Sequence, residues 1–140
     1  MIKYQIGRHW IHVSIAASVF LVAACDESIR SSYATAAEAR TADAGRGWLP
    51  TELPDSSYAI SESHKLDVNT GIGSFRFEVR DDASFRAKLQ PLPAVQLQHI
   101  KADHAKLQRL GYNFYADSGF LLAVNWQTRH VQFWGGLNLQ

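Results

Sequence analysis

The chain has 140 residues, of which 46% are hydrophobic and 19% are charged, and this is the size and composition of one compact domain. Its formal net charge of +1 gives it neither the basic field of a general nucleic-acid-binding protein nor an acidic tail. A single cysteine excludes an intrachain disulfide, so a packed core must stabilise the domain.

The amino-terminal segment has the pattern of a secretory signal peptide. Lys3 and Arg8 are its only charged residues, and an apolar run of about 15 residues, Trp10–Ala24, follows them. An apolar helix needs roughly 20 residues to span a bilayer, so this run is short for a transmembrane helix. A buried amphipathic helix is the alternative, but the run lacks the charged face of such a helix. We therefore expect residues 1–24 to be a signal peptide that is removed.

The only cysteine, Cys25, ends the sequence Leu21-Val22-Ala23-Ala24-Cys25. This sequence resembles a bacterial lipobox, with valine where leucine is more usual. The resemblance implies a diacylglyceryl group on the Cys25 sulfur, cleavage between Ala24 and Cys25, and acylation of the new amino terminus. Two or more acyl chains anchor a protein stably without a transmembrane helix. A buried structural thiol and a catalytic thiol are the alternatives, and both are disfavoured by the two acidic residues that follow.

Asp26 bears on the membrane that would receive the anchor. It resembles the inner-membrane retention signal of enterobacterial lipoproteins, in which aspartate follows the lipidated cysteine. The resemblance favours the periplasmic face of the inner membrane, with the outer membrane as the alternative. After the lipidated cysteine, we expect a polar tether within residues 25–32 and one globular domain over residues 33–140.

The first predicted elements of that domain are a helix and two strands. Thr35 and Glu38 have the spacing of a capping box, which predicts a helix over 35–44. A connection punctuated by prolines follows, and it is expected to pack Trp48 against the domain. Two stretches alternate between apolar and polar residues and are predicted strands: 58–63 and 75–80.

The second half is predicted to hold a short helix from 81 to 89, a main helix over 94–110, and three strands. Gly111 ends the main helix, whose apolar face includes Leu97 and Leu107. The predicted strands are 113–116, 120–126 and 129–134. Short turns between neighbouring strands favour antiparallel pairing. We expect a two-layer α+β domain in the order α-β-β-α-β-β-β, with an antiparallel sheet of about 4–5 strands and one main helix packed on it.

The most polar cluster lies around His64 and Asp67, with Glu62 and two serines beside them. Such groups could perform acid–base or nucleophilic chemistry. A separation of three residues does not by itself bring His64 and Asp67 together in a strand or turn, and no nucleophile elbow presents either serine. The alternative is the polar end of a strand, where Asp67 and Asn69 hydrogen-bond the turn backbone.

The main helix carries the other candidate ligands: His99, Asp103 and His104. The two histidines are five residues apart, whereas helical metal sites use a spacing of four. His99 and Asp103 share a face and supply at most two ligands, where zinc needs three or four. No glycine-rich nucleotide motif is present. We therefore expect neither a metal nor another cofactor.

The carboxyl-terminal aromatic residues are candidates for partner binding. Phe133 and Trp134 must point to opposite faces of a strand, so one of them is the more exposed. An exposed tryptophan is a favourable anchor for an interface, and core packing is the alternative. The candidate interaction surface comprises Trp48, His64, Asp67, Trp126 and Trp134.

Three motifs between residues 46 and 77 resemble a group of small, uncharacterised proteobacterial lipoproteins. These motifs are Gly47-Trp48-Leu49-Pro50, His64-x-Leu66-Asp67-x-Asn69 and Phe75-Arg76-Phe77. The resemblance covers about a quarter of the chain and implies no activity.

The sequence leads to three functional hypotheses. The first is a lipid-anchored, non-catalytic envelope protein that binds a periplasmic protein, as small inhibitors and immunity-type lipoproteins do. The second is an envelope hydrolase that uses His64 and Asp67. The third is a module for small ligands, which would need an apolar cavity. In each case the lipid on Cys25 attaches the chain to the membrane, and we expect no nucleic-acid partner.

Overall fold

The computed structural model describes residues 28–65, 70–93, 97 and 103–136. The expected signal peptide, Cys25, Asp26, Asp67 and His99 lie outside these ranges. None of the helices within the ranges is long and apolar enough to cross a membrane.

Seven strands form one sheet in the described part of the chain. The strands are β1 (Ser28–Thr35), β2 (Tyr58–Lys65), β3 (Thr70–Arg76), β4 (Gln90–Pro91), β5 (Asn113–Asp117), β6 (Phe120–Asn125) and β7 (His130–Trp134). All neighbours pair antiparallel, in the order β1-β2-β3-β7-β6-β5-β4. The fold is therefore α+β as expected, but the predicted sheet of about 4–5 strands is wrong.

The first helix, α1 (Ala36–Asp43), begins where the capping box predicts. The Thr35 hydroxyl accepts a hydrogen bond from the backbone N–H of Glu38 at 3.2 Å. The Glu38 carboxylate accepts one from the backbone N–H of Ala34 at 2.9 Å. The Thr35 bond satisfies one of the backbone donors that a helix start leaves unpaired, and the Glu38 bond links the first turn of α1 to the end of β1.

Strand β1 begins inside the segment expected to be a tether. Ser28–Ser32 pair with residues 61–65 of β2, so the sheet starts before residue 33. An edge strand needs only backbone hydrogen bonds from its single neighbour, and its side chains can stay exposed. The apolar alternation that signals a half-buried strand is therefore weak here, and Ile29 itself is 45% exposed.

Strand β3 was expected over 75–80, but it ends at Arg76. A 3-10 turn, Val79–Asp81, and helix α2 (Asp82–Lys88) follow, and Val79 is 64% exposed. Ser56 explains the change of direction: its hydroxyl accepts from the Glu78 backbone N–H at 3.0 Å and donates to Asp81 at 2.7 Å. These bonds hold residues 78–81 in a turn against the loop before β2.

The predicted main helix over 94–110 is interrupted. Helix α3 (His104–Arg109) is capped by Asp103, whose backbone is not helical. The Asp103 carboxylate accepts a hydrogen bond from the Lys106 N–H at 3.0 Å. Leu97 and Leu107 are both buried in the same small cluster. Two separate segments thus supply the apolar positions that suggested one helix, and the prediction of a single main helix is wrong.

The two faces of the sheet are packed differently. The main core lies on one face, which we call the closed face, beneath α1, α2 and the loop of residues 44–57. Its sheet residues are Ile60, Phe75, Tyr115, Phe120, Leu122, Val124, Val131 and Phe133, all at most 7% exposed. On the other face, Leu97 and Leu107 cover a smaller cluster that includes Phe114, Leu121 and Ala123 of β5 and β6. The half of that second face formed by β1, β2 and β3 contributes no residue to either cluster.

Candidate interaction surface

Ten side chains lie in three cross-strand rows on the second face of β1, β2, β3 and β7. Strand register gives the rows as Arg30, Ser63, Ile72 and Trp134; Ser32, Ser61, Ser74 and Gln132; and Arg76 and His130. We call these ten residues the open face. None of them is buried, and all except Arg76 line a cleft of about 500 Å³. On the same face of the sheet, Tyr58 and Thr35 continue the third row, and Ser28, Lys65 and Thr70 form a further row beside the first.

Alternation along β2 produces the difference between the two faces. Ile60, Glu62 and His64 point to the closed face and are buried, whereas Ser61 and Ser63 point to the open face. The hydroxyls of Ser61 and Ser74 lie 3.2 Å apart and form a hydrogen bond across β2 and β3. A row of small hydroxyl side chains therefore forms the floor of the cleft.

The charge of the open face is positive. Arg30 and Arg76 are exposed, and none of the ten residues has a carboxylate. Within the described ranges neither arginine forms an ion pair, although Arg76 donates to the Thr128 carbonyl at 3.3 Å. Their charges are therefore available to a partner.

His130 lies at one end of the open face. Its Nδ1 lies 2.6 Å from the Tyr112 hydroxyl. Burial, and after it the positive charge of Arg76, lowers the pKa of His130 below 6.5. The neutral ring accepts a hydrogen bond from the Tyr112 hydroxyl, so at neutral pH the positive charge of the open face comes from its arginines.

The structure brings Trp48 and His64 together, but on the closed face. The two rings stack with centroids 3.5 Å apart and an interplanar angle of 17°. His64 Nδ1 lies 2.8 Å from Glu62 Oε2, and both side chains are 1% exposed. The guanidinium of Arg46 lies 5.2 Å from the centre of the Trp48 ring. Two of the resemblance motifs thus meet in a stack of the partly buried Trp48 on the buried His64, which packs the loop around Trp48 against β2.

Trp126 belongs to the packing of the closed face. Its indole N–H donates to the Tyr115 hydroxyl at 2.9 Å, and the Arg86 guanidinium lies 4.0 Å from its ring centre. Trp134 lies on the open face, while the neighbouring Phe133 is fully buried, as strand alternation predicts. The predicted interaction surface is therefore divided: Trp48, His64 and Trp126 lie on the closed side, Trp134 lies on the open face, and Asp67 is outside the described residues.

Of the three candidate metal ligands on the predicted main helix, Asp103 and His104 lie within the described residues. Asp103 caps α3 through its side chain. Within the described ranges, no group of three or more His, Cys, Asp or Glu side chains is placed to hold a metal ion.

Sequence reasoning missed most of the open face, including Arg30, Ser32, Ile72, Ser74 and Gln132. The sequence pattern that indicates the open face is the polar side of β2, where Ser61 and Ser63 alternate with buried residues. Locating the rest required the order of strands in the sheet, because β7 lies beside β3 although more than fifty residues separate them along the chain.

Comparison with known families adds one partial match. Residues 27–76 are similar to the YbbD head domain. This segment is about a third of the chain and comprises β1, α1, β2 and β3. It therefore includes seven residues of the open face, the stacked rings of Trp48 and His64, and the Glu62 carboxylate that hydrogen-bonds His64. No curated protein and no solved structure matches the chain.

Proposed function

We propose that this protein is a non-catalytic envelope protein, held at the membrane by a lipid on Cys25, whose domain binds another protein through the open face. The observation that carries the proposal is the open face itself. Ten unburied side chains lie on four paired strands, and the closed core behind them makes that surface rigid. A rigid surface with aligned polar groups and one partly exposed tryptophan is suited to recognising a protein.

The sequence around Cys25 supports the anchor. The residues before it resemble a lipobox, and the motifs around Trp48, His64 and Phe75 resemble small proteobacterial lipoproteins. Strand β1 begins three residues after Cys25, a distance of at most about 10 Å in an extended chain. A lipid on Cys25 would therefore hold the β1 edge close to the bilayer, and the partner would be reached at the membrane surface. Asp26 favours the inner membrane.

The burial of His64 favours binding over hydrolysis. A general base must reach its substrate within hydrogen-bond distance, and His64 is 1% exposed beneath Trp48. The alternative of a hydrolase that uses His64 and Asp67 requires this stack to open.

Site-specific photocrosslinking of the full chain in its host envelope tests protein binding. A photoreactive residue at Ser63 or Gln132 on the open face should give a discrete adduct with one protein. The same residue at Ala83 or Ala87, both exposed on α2, serves as the control and should give no such adduct. Equal crosslinking at all four positions, or none at the open face, would contradict the proposal.

Mass spectrometry of the mature amino-terminal peptide tests the anchor separately. We expect a peptide that begins at Cys25 and carries the mass of a diacylglyceryl group. An unmodified Cys25 still joined to Ala24 would show that the anchor is wrong, whatever the crosslinking result.

A further inference from the structure

We infer that the open face recognises an acidic, extended polypeptide segment of its partner; this inference rests on the proposed function and specifies its ligand. The segment would lie across β1, β2, β3 and β7, with carboxylates near Arg30 and Arg76 and an apolar side chain against Ile72 and Trp134.

The charge distribution carries the first step. The whole chain is nearly neutral, yet the open face has two arginines and no carboxylate. Elsewhere in the described ranges, cations such as Arg40, Lys88 and Arg129 are paired with carboxylates. Arginines that remain unpaired on a surface provide charge complementarity for an anionic partner and bind carboxylates well because of their planar donors.

The spacing of the arginines carries the second step. Arg30 and Arg76 are two strands apart across the sheet, and their rows are four residues apart along β3. Strand spacing and rise then separate their Cα atoms by roughly 16 Å. An extended chain covers that distance with about five residues. A short acidic segment can therefore contact both arginines at once.

The rest of the open face fits a polypeptide. The hydroxyls of Ser32, Ser61, Ser63 and Ser74 and the amide of Gln132 can each donate and accept hydrogen bonds, as a peptide backbone requires. Ile72 is 55% exposed and pairs directly with Trp134, which gives an apolar contact beside the polar floor. Charged, polar and apolar groups thus occur within one cleft.

Two other occupants fit less well. Stable electrostatic binding to an anionic membrane typically uses about four to eight clustered cations. The open face has two arginines, with one further cation, Lys65, in the adjoining row. A second copy of the chain would bring two surfaces of the same sign together, which costs free energy. The acidic segment has neither disadvantage.

Fluorescence anisotropy with the full chain in detergent micelles tests the inference. The probe is a labelled synthetic peptide with a pair of glutamates at each end and a leucine at its centre. A peptide with lysines in place of the glutamates is the matched control. We expect binding of the acidic probe only, weakened by salt.

Charge reversal then locates the site. Arg30→Glu with Arg76→Glu should lower the affinity for the acidic probe at least about tenfold, since two attractions become repulsions. Arg80→Glu with Arg109→Glu makes the same change in net charge at exposed positions outside the open face, and should change affinity less than about threefold. Circular dichroism verifies that both variants are folded.

Four results would overturn the inference. The first is that the acidic probe does not bind, and the second is that the two double variants lose equal affinity. The third is binding to phosphatidylglycerol vesicles that depends on Arg30 and Arg76, without binding to the probe. The fourth is a dimer in sedimentation experiments that Gln132→Arg abolishes. If the probe fails to bind while Ser63 and Gln132 still crosslink a protein, the inference alone is wrong and the proposed function stands.

Discussion

Strands β2, β3 and β7 have two faces of opposite chemical character. On the closed face, Phe75, Val131 and Phe133 are 0% exposed and lie beneath two helices and a loop. On the open face, their sequence neighbours Ser74 and Gln132 remain accessible. Burial of apolar area stabilises the fold, whereas exposed polar groups contribute little to stability and can specify a partner. Alternation in β2, β3 and β7 therefore separates the residues that stabilise the domain from those available for recognition.

The strongest test of this contrast compares two neighbours in β7. Phe133→Ala removes a buried ring that contacts Phe75 and Phe120, so it should lower the free energy of unfolding by about 3–5 kcal/mol. Gln132→Ala, one residue away on the open face, should change it by less than about 0.5 kcal/mol. Urea denaturation measures both. Similar losses in the two variants would contradict the assignment of the faces.

The buried pair of Glu62 and His64 gives the next largest expected effect. His64→Leu leaves the Glu62 carboxylate buried without its partner and should cost about 3–5 kcal/mol. Changing both residues to leucine removes the unpaired charge and should recover much of the loss. Ser63→Ala, which lies between them on the open face, is the control and should be nearly neutral. If the double variant is no more stable than His64→Leu, the pair is not the source of the loss.

Two glycines of β3 test how closely the closed face is packed. A Cβ at Gly73 would overlap the Ser61 carbonyl oxygen and the Phe133 ring. Gly73→Ala should therefore cost about 1–3 kcal/mol. At Gly71 the nearest atom to a Cβ is the Trp48 carbonyl oxygen at 3.6 Å, an ordinary contact, so Gly71→Ala should cost less than about 0.5 kcal/mol. Thermal unfolding of the two variants should rank them in this order, and the reverse order would contradict the packing.

The smallest expected effect concerns pH at the open face. Because folding lowers the pKa of His130 below 6.5, the unfolded chain binds the proton first as the pH falls. Stability from this group is complete above pH 6.5 and is lost as the pH falls from there toward the folded pKa. His130→Gln removes this contribution, so its stability should fall less than that of the wild type on acidification. If the free energies of unfolding of the variant and of the wild type change with pH at the same slope across this range, His130 is not the cause of the loss of stability.

Local elements were predictable because their signals are short in range. The capping box of α1 and the hairpin of β5 and β6 follow from neighbouring residues, and both are present. These features depend on contacts between residues close together in the chain.

The errors occurred where distant residues decide the structure. β1 is a strand because it pairs with β2 at the edge of the sheet. β3 ends before the predicted residue 80 because Ser56 forms hydrogen bonds with Glu78 and Asp81. The open face depends on the pairing of β3 with β7, which no local pattern reveals. Trp48 and His64 belong to separate motifs, and no local pattern reveals that their rings stack.

The central claim is that another protein covers the open face in the envelope. Hydroxyl-radical footprinting measures this directly by comparing the full chain in native envelopes with the purified chain in detergent. We predict lower oxidation of Ile72 and Trp134 in the envelope, with no change at Val79 and Leu110, which are 64% and 57% exposed outside the open face. Equal oxidation of Ile72 and Trp134 in the two samples would contradict the account.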